Sequence, residues 1–329
     1  MRIANKMLDR IDRFYRQSIV KEQYPMLTSF SRRRLKNDGG VGLVYMLHHI
    51  CEKNAKLIPT NEDLKVSPAF LEKIILRYKR QGFDFMSLDQ LNEMIQSGLP
   101  NKRPFVAFTI DDGYLDNYIY ALPVFEKYDV PFAVFVATDF IDKKAILWWD
   151  CVEELIMTHE SVTTSDGKTY PCHTFQQRWN TFRYLRERIL NIDQKYLEQG
   201  LNEMFAGYCI DWFGPIKQKG MSWSQIKTLA SHPLCTIGSH TVSHPALKIL
   251  SEVEAEHEIK EGMEKIRQII QQPVRYFAYP YGTFHEIGER EFRIVEKLGI
   301  QLAFMAHQGC ITSVNMKNVA RLPRVYLKG

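Results

Sequence analysis

Two short stretches of this chain carry more chemistry than folding needs. Phe105-Val106-Ala107-Phe108-Thr109-Ile110 runs apolar straight into Asp111-Asp112-Gly113. Two carboxylates at the mouth of a buried strand add nothing to a core, so chemistry is the better explanation. A second apolar run, Leu234-Cys235-Thr236-Ile237-Gly238, leads into Ser239-His240-Thr241-Val242-Ser243-His244-Pro245. One acid with two histidines spaced i, i+4 is a three-donor set for a catalytic divalent metal, with one coordination position left for water. Each stretch alone has an ordinary reading. Paired acids suit a helix N-terminus, and the histidines could sit in a hydrogen-bonded loop. Together they point to a site.

Such residues need a frame that brings strand ends together. From Val41 onward, short apolar runs alternate with helical segments. Val41–Leu47, Phe105–Ile110, Pro131–Ala137, Leu234–Gly238, Arg275–Ala278, Gln301–Met305 and Val319–Val325 read as strands. Ser67-Pro68 starts a helix, with serine as N-cap and proline in the first turn. A helix is expected over Leu115–Tyr128. Ser251 and Glu254 form a capping box before the stripe Ile259, Met263, Ile266 and Ile270. This alternation predicts an α/β fold with a parallel sheet or barrel, whose active residues lie at the C-terminal ends of strands. Both motifs occupy that position. The stretch from about 147 to 219 breaks the pattern. It opens on Trp148-Trp149 and carries a polar helical segment over roughly 175–205, so it reads as an insertion over or beside the site.

The 329 residues are 45% hydrophobic, enough for a large core and too apolar for global disorder. No apolar stretch approaches the ~20 residues of a membrane span. The six cysteines form no CxxC pair and read as free thiols of a reducing compartment. The net charge of +5 is concentrated at the start, where residues 1–40 hold ten Lys/Arg against four Asp/Glu. Ile3, Met7, Ile11, Phe14 and Tyr15 lie at helical spacing among basic residues. The expectation is a basic amphipathic arm over residues 1–40, whose first twenty residues either pack on the domain or meet an anionic membrane surface or a protein. No nucleic-acid partner is expected, because no aromatic platform accompanies the basic residues.

Three further pieces end strands: His48, Tyr279-Pro280-Tyr281-Gly282, and Leu322-Pro323-Arg324. In order and rough spacing, Thr109-Ile110-Asp111-Asp112-Gly113, His240-Thr241-Val242-Ser243-His244 and Tyr279-Pro280-Tyr281-Gly282 resemble the polysaccharide deacetylase family. Its members are also called NodB-homology or carbohydrate esterase family 4 proteins. The resemblance spans about residues 41–326 and implies a distorted (β/α) barrel of about seven strands. It implies a divalent metal, usually zinc, held by Asp112, His240 and His244. Asp111 would be the general base and the Tyr281 backbone N–H the oxyanion donor. Tyr279, Trp148 and His48 are expected to contact substrate, with packing as the alternative role for the tyrosines and tryptophans and loop orientation as the alternative for His48. The arginine that usually stands two residues before the Pro-Tyr-Gly turn is replaced by Ala278. Arg324 is the expected substitute from another strand. The family's late histidine, its general acid, has no counterpart beyond His307, which lacks the surrounding pattern.

The implied activity is removal of acetyl groups from an N-acetylated saccharide. Leu147-Trp148-Trp149-Asp150 and the Leu322-Pro323-Arg324 end resemble members that act in capsule or O-antigen synthesis. Without an apolar leader, a cytoplasmic or inner-membrane-peripheral setting is expected. Two alternatives stay open: amide hydrolysis of a cyclic imide or ureide on the same barrel, and a carbohydrate-binding pseudoenzyme.

Overall fold

The apolar runs pair side by side and the outermost two meet. Seven parallel strands close into a ring: β1 (Gly40–Leu47), β2 (Phe105–Ile110), β3 (Phe132–Val136), β4 (Cys235–Ser239), β5 (Tyr276–Ala278), β6 (Leu302–Gln308) and β7 (Leu322–Tyr326). β1 pairs β2 from Gly42↔Phe105 to Leu47↔Ile110, and β7 through Tyr45↔Val325. This is the expected barrel. The structure, a computed structural model, describes Leu35, residues 39–98 and residues 101–328. The basic helix expected over residues 3–20 lies outside them.

Every residue of β2 and β3 is buried, because a parallel barrel covers both strand faces. Alternation sorts them. Phe105 and Ala107 turn inward with Val44, Phe135, Ala278 and Phe304. Val106, Phe108 and Ile110 turn outward, where helices α1 (Pro68–Gln81) and α3 (Leu122–Tyr128) lie, while α2 (Leu88–Ser97) sits elsewhere. α1 and α3 cover the outside. α2 places Leu88, Leu91 and Met94 into the inner cluster and closes the end where the strands begin. The opposite end stays open for chemistry. Ser67 caps α1 by accepting from the Phe70 N–H, and the helix expected at Leu115 is present with a π-helical turn over Asn117–Ala121.

The stretch after residue 147 folds around an apolar cluster of its own. It holds α4 (Trp148–Thr158), a hairpin of Ser161–Thr163 and Thr169–Pro171, α5 (Phe175–Leu190) and α6 (Leu197–Met204). The single helical segment read over 175–205 is therefore two helices. Asn191 caps α5, and Asp193 redirects the chain by accepting from the Lys195 N–H. The strand read from Val319 starts only at Leu322, after a 3-10 turn over Val319–Arg321.

Helix α7 (Trp223–Ala230) leads into β4, and α8 (Glu252–Ile270) follows it. The capping box of Ser251 and Glu254 is formed. α8 touches the loop after β4 at close range. A Cβ added at Gly262 would fall 2.7 Å from the Thr241 carbonyl carbon and 2.8 Å from its oxygen. Both are backbone atoms, so the loop must move to admit a methyl group. Helix α9 (Glu289–Lys297) then packs beside β5. Among the described residues, no helix is long and apolar enough to cross a membrane. Gly262→Ala is expected to lower stability by about 1–3 kcal/mol, the usual range for overpacking. It should also weaken metal binding, since Thr241 lies between the two histidines. Denaturant melts and a metal titration read both effects.

Candidate metal centre

Asp111 continues the inward line of β2, and Arg324 projects inward from β7. The two meet inside the barrel, each only 1% exposed. Arg324 Nη1 donates to Asp111 Oδ1 and Nη2 to Oδ2, both at 2.7 Å. The same guanidinium donates to Thr109 Oγ1 at 3.1 Å and to the Met305 carbonyl at 3.0 Å. Burial by itself would raise the Asp111 carboxyl. The charge and hydrogen bonds of Arg324 override it and hold the carboxyl below the ordinary range. Ala278, small and buried on β5, leaves the barrel interior free for this longer side chain.

Asp112 follows Asp111 but points elsewhere. Its φ of 79° lies in the left-handed region, which turns the chain and swings its carboxylate towards β4. Oδ1 then stands 3.3 Å from His240 Nε2 and 3.3 Å from His244 Nε2. It makes no hydrogen bond of acceptable geometry with either. Two bonds of ~2.0–2.2 Å at a tetrahedral angle separate their donors by about 3.3 Å. Both distances from Asp112 match that spacing, and all three donor atoms lie within 4.8 Å of one another. His240 Nδ1 lies 2.7 Å from the Ala278 carbonyl, which fixes Nδ1 as the protonated nitrogen and leaves Nε2 free to bind. Burial opposes charge on Asp112, but the two imidazoles hold it well below the usual carboxylate range.

A second cluster fails the same test. His49, Cys51 and Asp116 are also close together. His49 Nδ1 and Asp116 Oδ2, however, are 2.6 Å apart, a hydrogen bond with no room for a cation between them. Its use is structural, since Asp116 also accepts from the Ile50 N–H and His49 stacks 3.8 Å from Tyr114.

Backbone strain gathers at the first cluster. Asp112, Thr241, His244 and Tyr281 are four of the seven non-glycine residues with positive φ among the described residues. Each such residue costs ~1–3 kcal/mol unless its surroundings hold it. For the histidine loop, that restraint comes from α8. Glu258 Oε2 accepts from the N–H groups of Val242 and Ser243 at 3.0 and 2.9 Å, and Oε1 accepts from the Ser243 hydroxyl. His244 N–H also donates to Thr241 Oγ1. Sequence reading missed Glu258 because it looks like one more charge on an exposed helix face.

The remaining expected residues divide. His48 lines the cavity with Nε2 4.0 Å from Asp111 Oδ2 and Nδ1 without a partner. Burial lowers its pKa despite the two nearby carboxylates, so its imidazole is neutral at neutral pH. The Tyr281 N–H donates to no backbone carbonyl among the described residues. Its phenol is pushed up to about 12 by burial. Tyr279 combines the two roles expected of it. It forms part of the wall, yet its hydroxyl donates to the Ala320 carbonyl and its ring packs on Phe277 and Phe292. Its hydroxyl is thus engaged by the protein backbone. Trp148 is 3% exposed and stacks against Phe182, so it anchors the insertion while presenting an edge to the cavity. His307 is exposed and lies against Phe284, outside the cavity lining. Phe182, Arg186, Asn61, Thr283 and Glu286 complete the wall of a cavity of about 210 Å³. No sequence motif marks them.

The profile of the polysaccharide deacetylase family matches residues 98–303. No curated protein matches the sequence. Solved structures of the same fold include a Streptococcus pyogenes deacetylase, PplD, in complex with acetate. It is 18% identical with a TM-score of 0.56, over 87% of this chain and 91% of that one. IcaB from Ammonifex degensii is 18% identical with a TM-score of 0.56, over 88% and 93%. The BpsB deacetylase domain from Bordetella bronchiseptica is 14% identical with a TM-score of 0.53, over 88% and 97%.

Two outcomes are expected here. His240→Ala should abolish stoichiometric metal in the purified protein, while Glu258→Ala should retain a site weakened by about 10–100-fold, the range for outer partners of metal ligands. Equal metal content in all three proteins would sink the ligand assignment. Removing Arg324 alone strands a buried carboxylate, so Arg324→Gln should destabilise by about 3–5 kcal/mol. Asp111→Asn combined with Arg324→Gln should cost clearly less than the two separate changes added, which a double-mutant cycle of denaturant melts reads.

Proposed function

The chain belongs to the polysaccharide deacetylase family, and on that footing we propose that it removes an acetyl group from an N-acetylated sugar during bacterial surface-polysaccharide synthesis. The observation that carries this reading is one cluster: a three-donor metal set beside a carboxylate that binds no metal but is held ionised by arginine. A divalent cation, zinc in this proposal, would be held by Asp112, His240 and His244, and when bound supplies a water of lowered pKa and polarises the acyl oxygen. Two imidazoles and one carboxylate suit zinc.

The chain's own residues divide the remaining work. Asp111 accepts the proton of the attacking water as a bond forms to the acyl carbon. Arg324 keeps that carboxylate ionised and fixed in direction. The Tyr281 N–H donates to the developing oxyanion. As the carbon–nitrogen bond breaks, His48 is the residue placed to hand a proton to the departing amine. It first takes up the proton that Asp111 accepted from the water, across the 4.0 Å between Asp111 Oδ2 and His48 Nε2, so that the proton leaves with the amine and Asp111 returns to its ionised state. The products are acetate and a free amino sugar. Residues 147–219 act in this reading as a cap over the cavity. A nucleotide- or lipid-linked intermediate is the substrate of this proposal. Contact of residues 1–20 with a membrane surface, at the cytoplasmic face, belongs to the same proposal.

Acetate release from a panel of N-acetylated sugars, set beside cyclic imides and ureides, tests the reaction. Asp111→Asn should lower kcat by ~10²–10⁴-fold, the usual span for a general base, with metal retained. His48→Gln should lower kcat by ~10²-fold, again with metal retained. Ring opening without acetate would favour the cyclic-amide reaction. Sugar binding with no turnover by the metal-loaded wild type would favour a binding protein.

A further inference from the structure

Among the described residues, the cavity holds a cation without a counter-ion. Arg186 lies one turn after Phe182 on α5, and both side chains line the cavity. The guanidinium carbon stands 6.0 Å from the centre of the Tyr281 ring. Other arginines of α5 have partners: Arg188 pairs with Asp166, and Arg178 donates to the Cys172 carbonyl. Among the described residues, no carboxylate lies within ion-pair distance of Arg186. Glu286 shares the cavity wall, but its Oε2 accepts from the Thr283 hydroxyl. Stacking on an exposed ring would account for a guanidinium at the surface. Here the half-buried guanidinium lines a cavity, where an anionic ligand would complete its hydrogen bonds.

We propose that Arg186 recognises an anionic group, a carboxylate or a phosphate, carried by the saccharide whose acetyl group is removed. This rests on the deacetylase reading above and narrows its substrate class. A guanidinium offers a planar fork that matches either anion with two hydrogen bonds. Its position over Tyr281, whose backbone N–H faces the acyl oxygen in that reading, puts the anion on the same sugar or its immediate neighbour. Glu286 repels an anion from its own side of the cavity and so confines it to the α5 side. The insertion thereby acts as the specificity element of a barrel that otherwise carries only the reaction chemistry.

The test compares kcat/KM on three substrates: a neutral N-acetylhexosamine oligomer, an N-acetylhexosamine 1-phosphate, and an N-acetylated disaccharide bearing a uronic acid. The wild type is expected to favour at least one charged substrate over the neutral one by about tenfold or more, the worth of one charge-assisted contact. Which charged substrate wins tells phosphate from carboxylate. In Arg186→Gln that ratio should fall towards one, mainly through KM. Arg186→Lys should restore part of it, and Glu286→Gln should raise it. Added salt should narrow the preference in the wild type. A wild type indifferent to charge overturns the inference and leaves the deacetylase reading intact. So does an Arg186→Gln variant that loses activity on all substrates in equal proportion, since that is the mark of a ring support for Tyr281. Acetate from none of the three overturns both.

Discussion

A full charge pair sits inside this barrel, and the site is arranged around it. Arg324 and Asp111 come from strands that are far apart in sequence and separated in the ring only by β1. Ionised groups in an apolar interior are tolerated only when geometry is good and the remaining donors are satisfied. Here both carboxylate oxygens are taken, and Thr109 and Met305 receive other guanidinium protons. Closure of the barrel thus fixes the direction of Asp111. Asp112, the next residue, is then free to turn away only because its backbone adopts a left-handed conformation. One carboxylate is held by arginine and the next faces two imidazoles. Adjacent residues of the same type acquire different chemistry through the direction in which each side chain points.

Strain and restraint are neighbours at this end of the barrel. The left-handed residues Asp112, Thr241, His244 and Tyr281 each hold a site loop in an uncommon shape. Glu258 bonds two successive N–H groups of the histidine loop, and Gly262, one turn later on the same helix, lets α8 approach the Thr241 backbone. A long, well-capped helix therefore acts as the rigid backing of the candidate metal-binding histidines. The energy stored in those loops is balanced by packing outside the cavity. This accounts for why residues without contact to substrate control the ligand geometry.

The insertion contributes no part of the metal set. It brings Trp148, Trp149, Phe182 and Arg186 to the wall and folds on its own apolar cluster, which includes Phe205 and Trp212. The division of labour is physical. Strand ends in a hydrogen-bonded ring hold atoms within tenths of an ångström, as the ligands require. A helical cap packed against the rim can change its lining residues without disturbing that ring.

Much of this was legible in the sequence. A buried parallel strand must be apolar on both faces, so Phe105–Ile110 announced itself, and the acids after it had to lie at a strand end. The i, i+4 histidines and the Ser251–Glu254 capping box are local patterns and survive into three dimensions unchanged. Tertiary structure decided what spacing could not. Tyr279 looks like its neighbour Tyr281 in sequence, yet one hydroxyl is bound to Ala320 in the core and the other residue faces the cavity. Glu258 reads as a surface charge until α8 is laid against the histidine loop. Arg186 reads as one of several arginines on a polar helix until α5 is placed over the rim. Periodicity reports which face of an element is buried, but not what that face meets. The meeting of β7 with β2 across β1, and of α5 with the turn after β5, is set by chain closure over long separations, which no local pattern encodes.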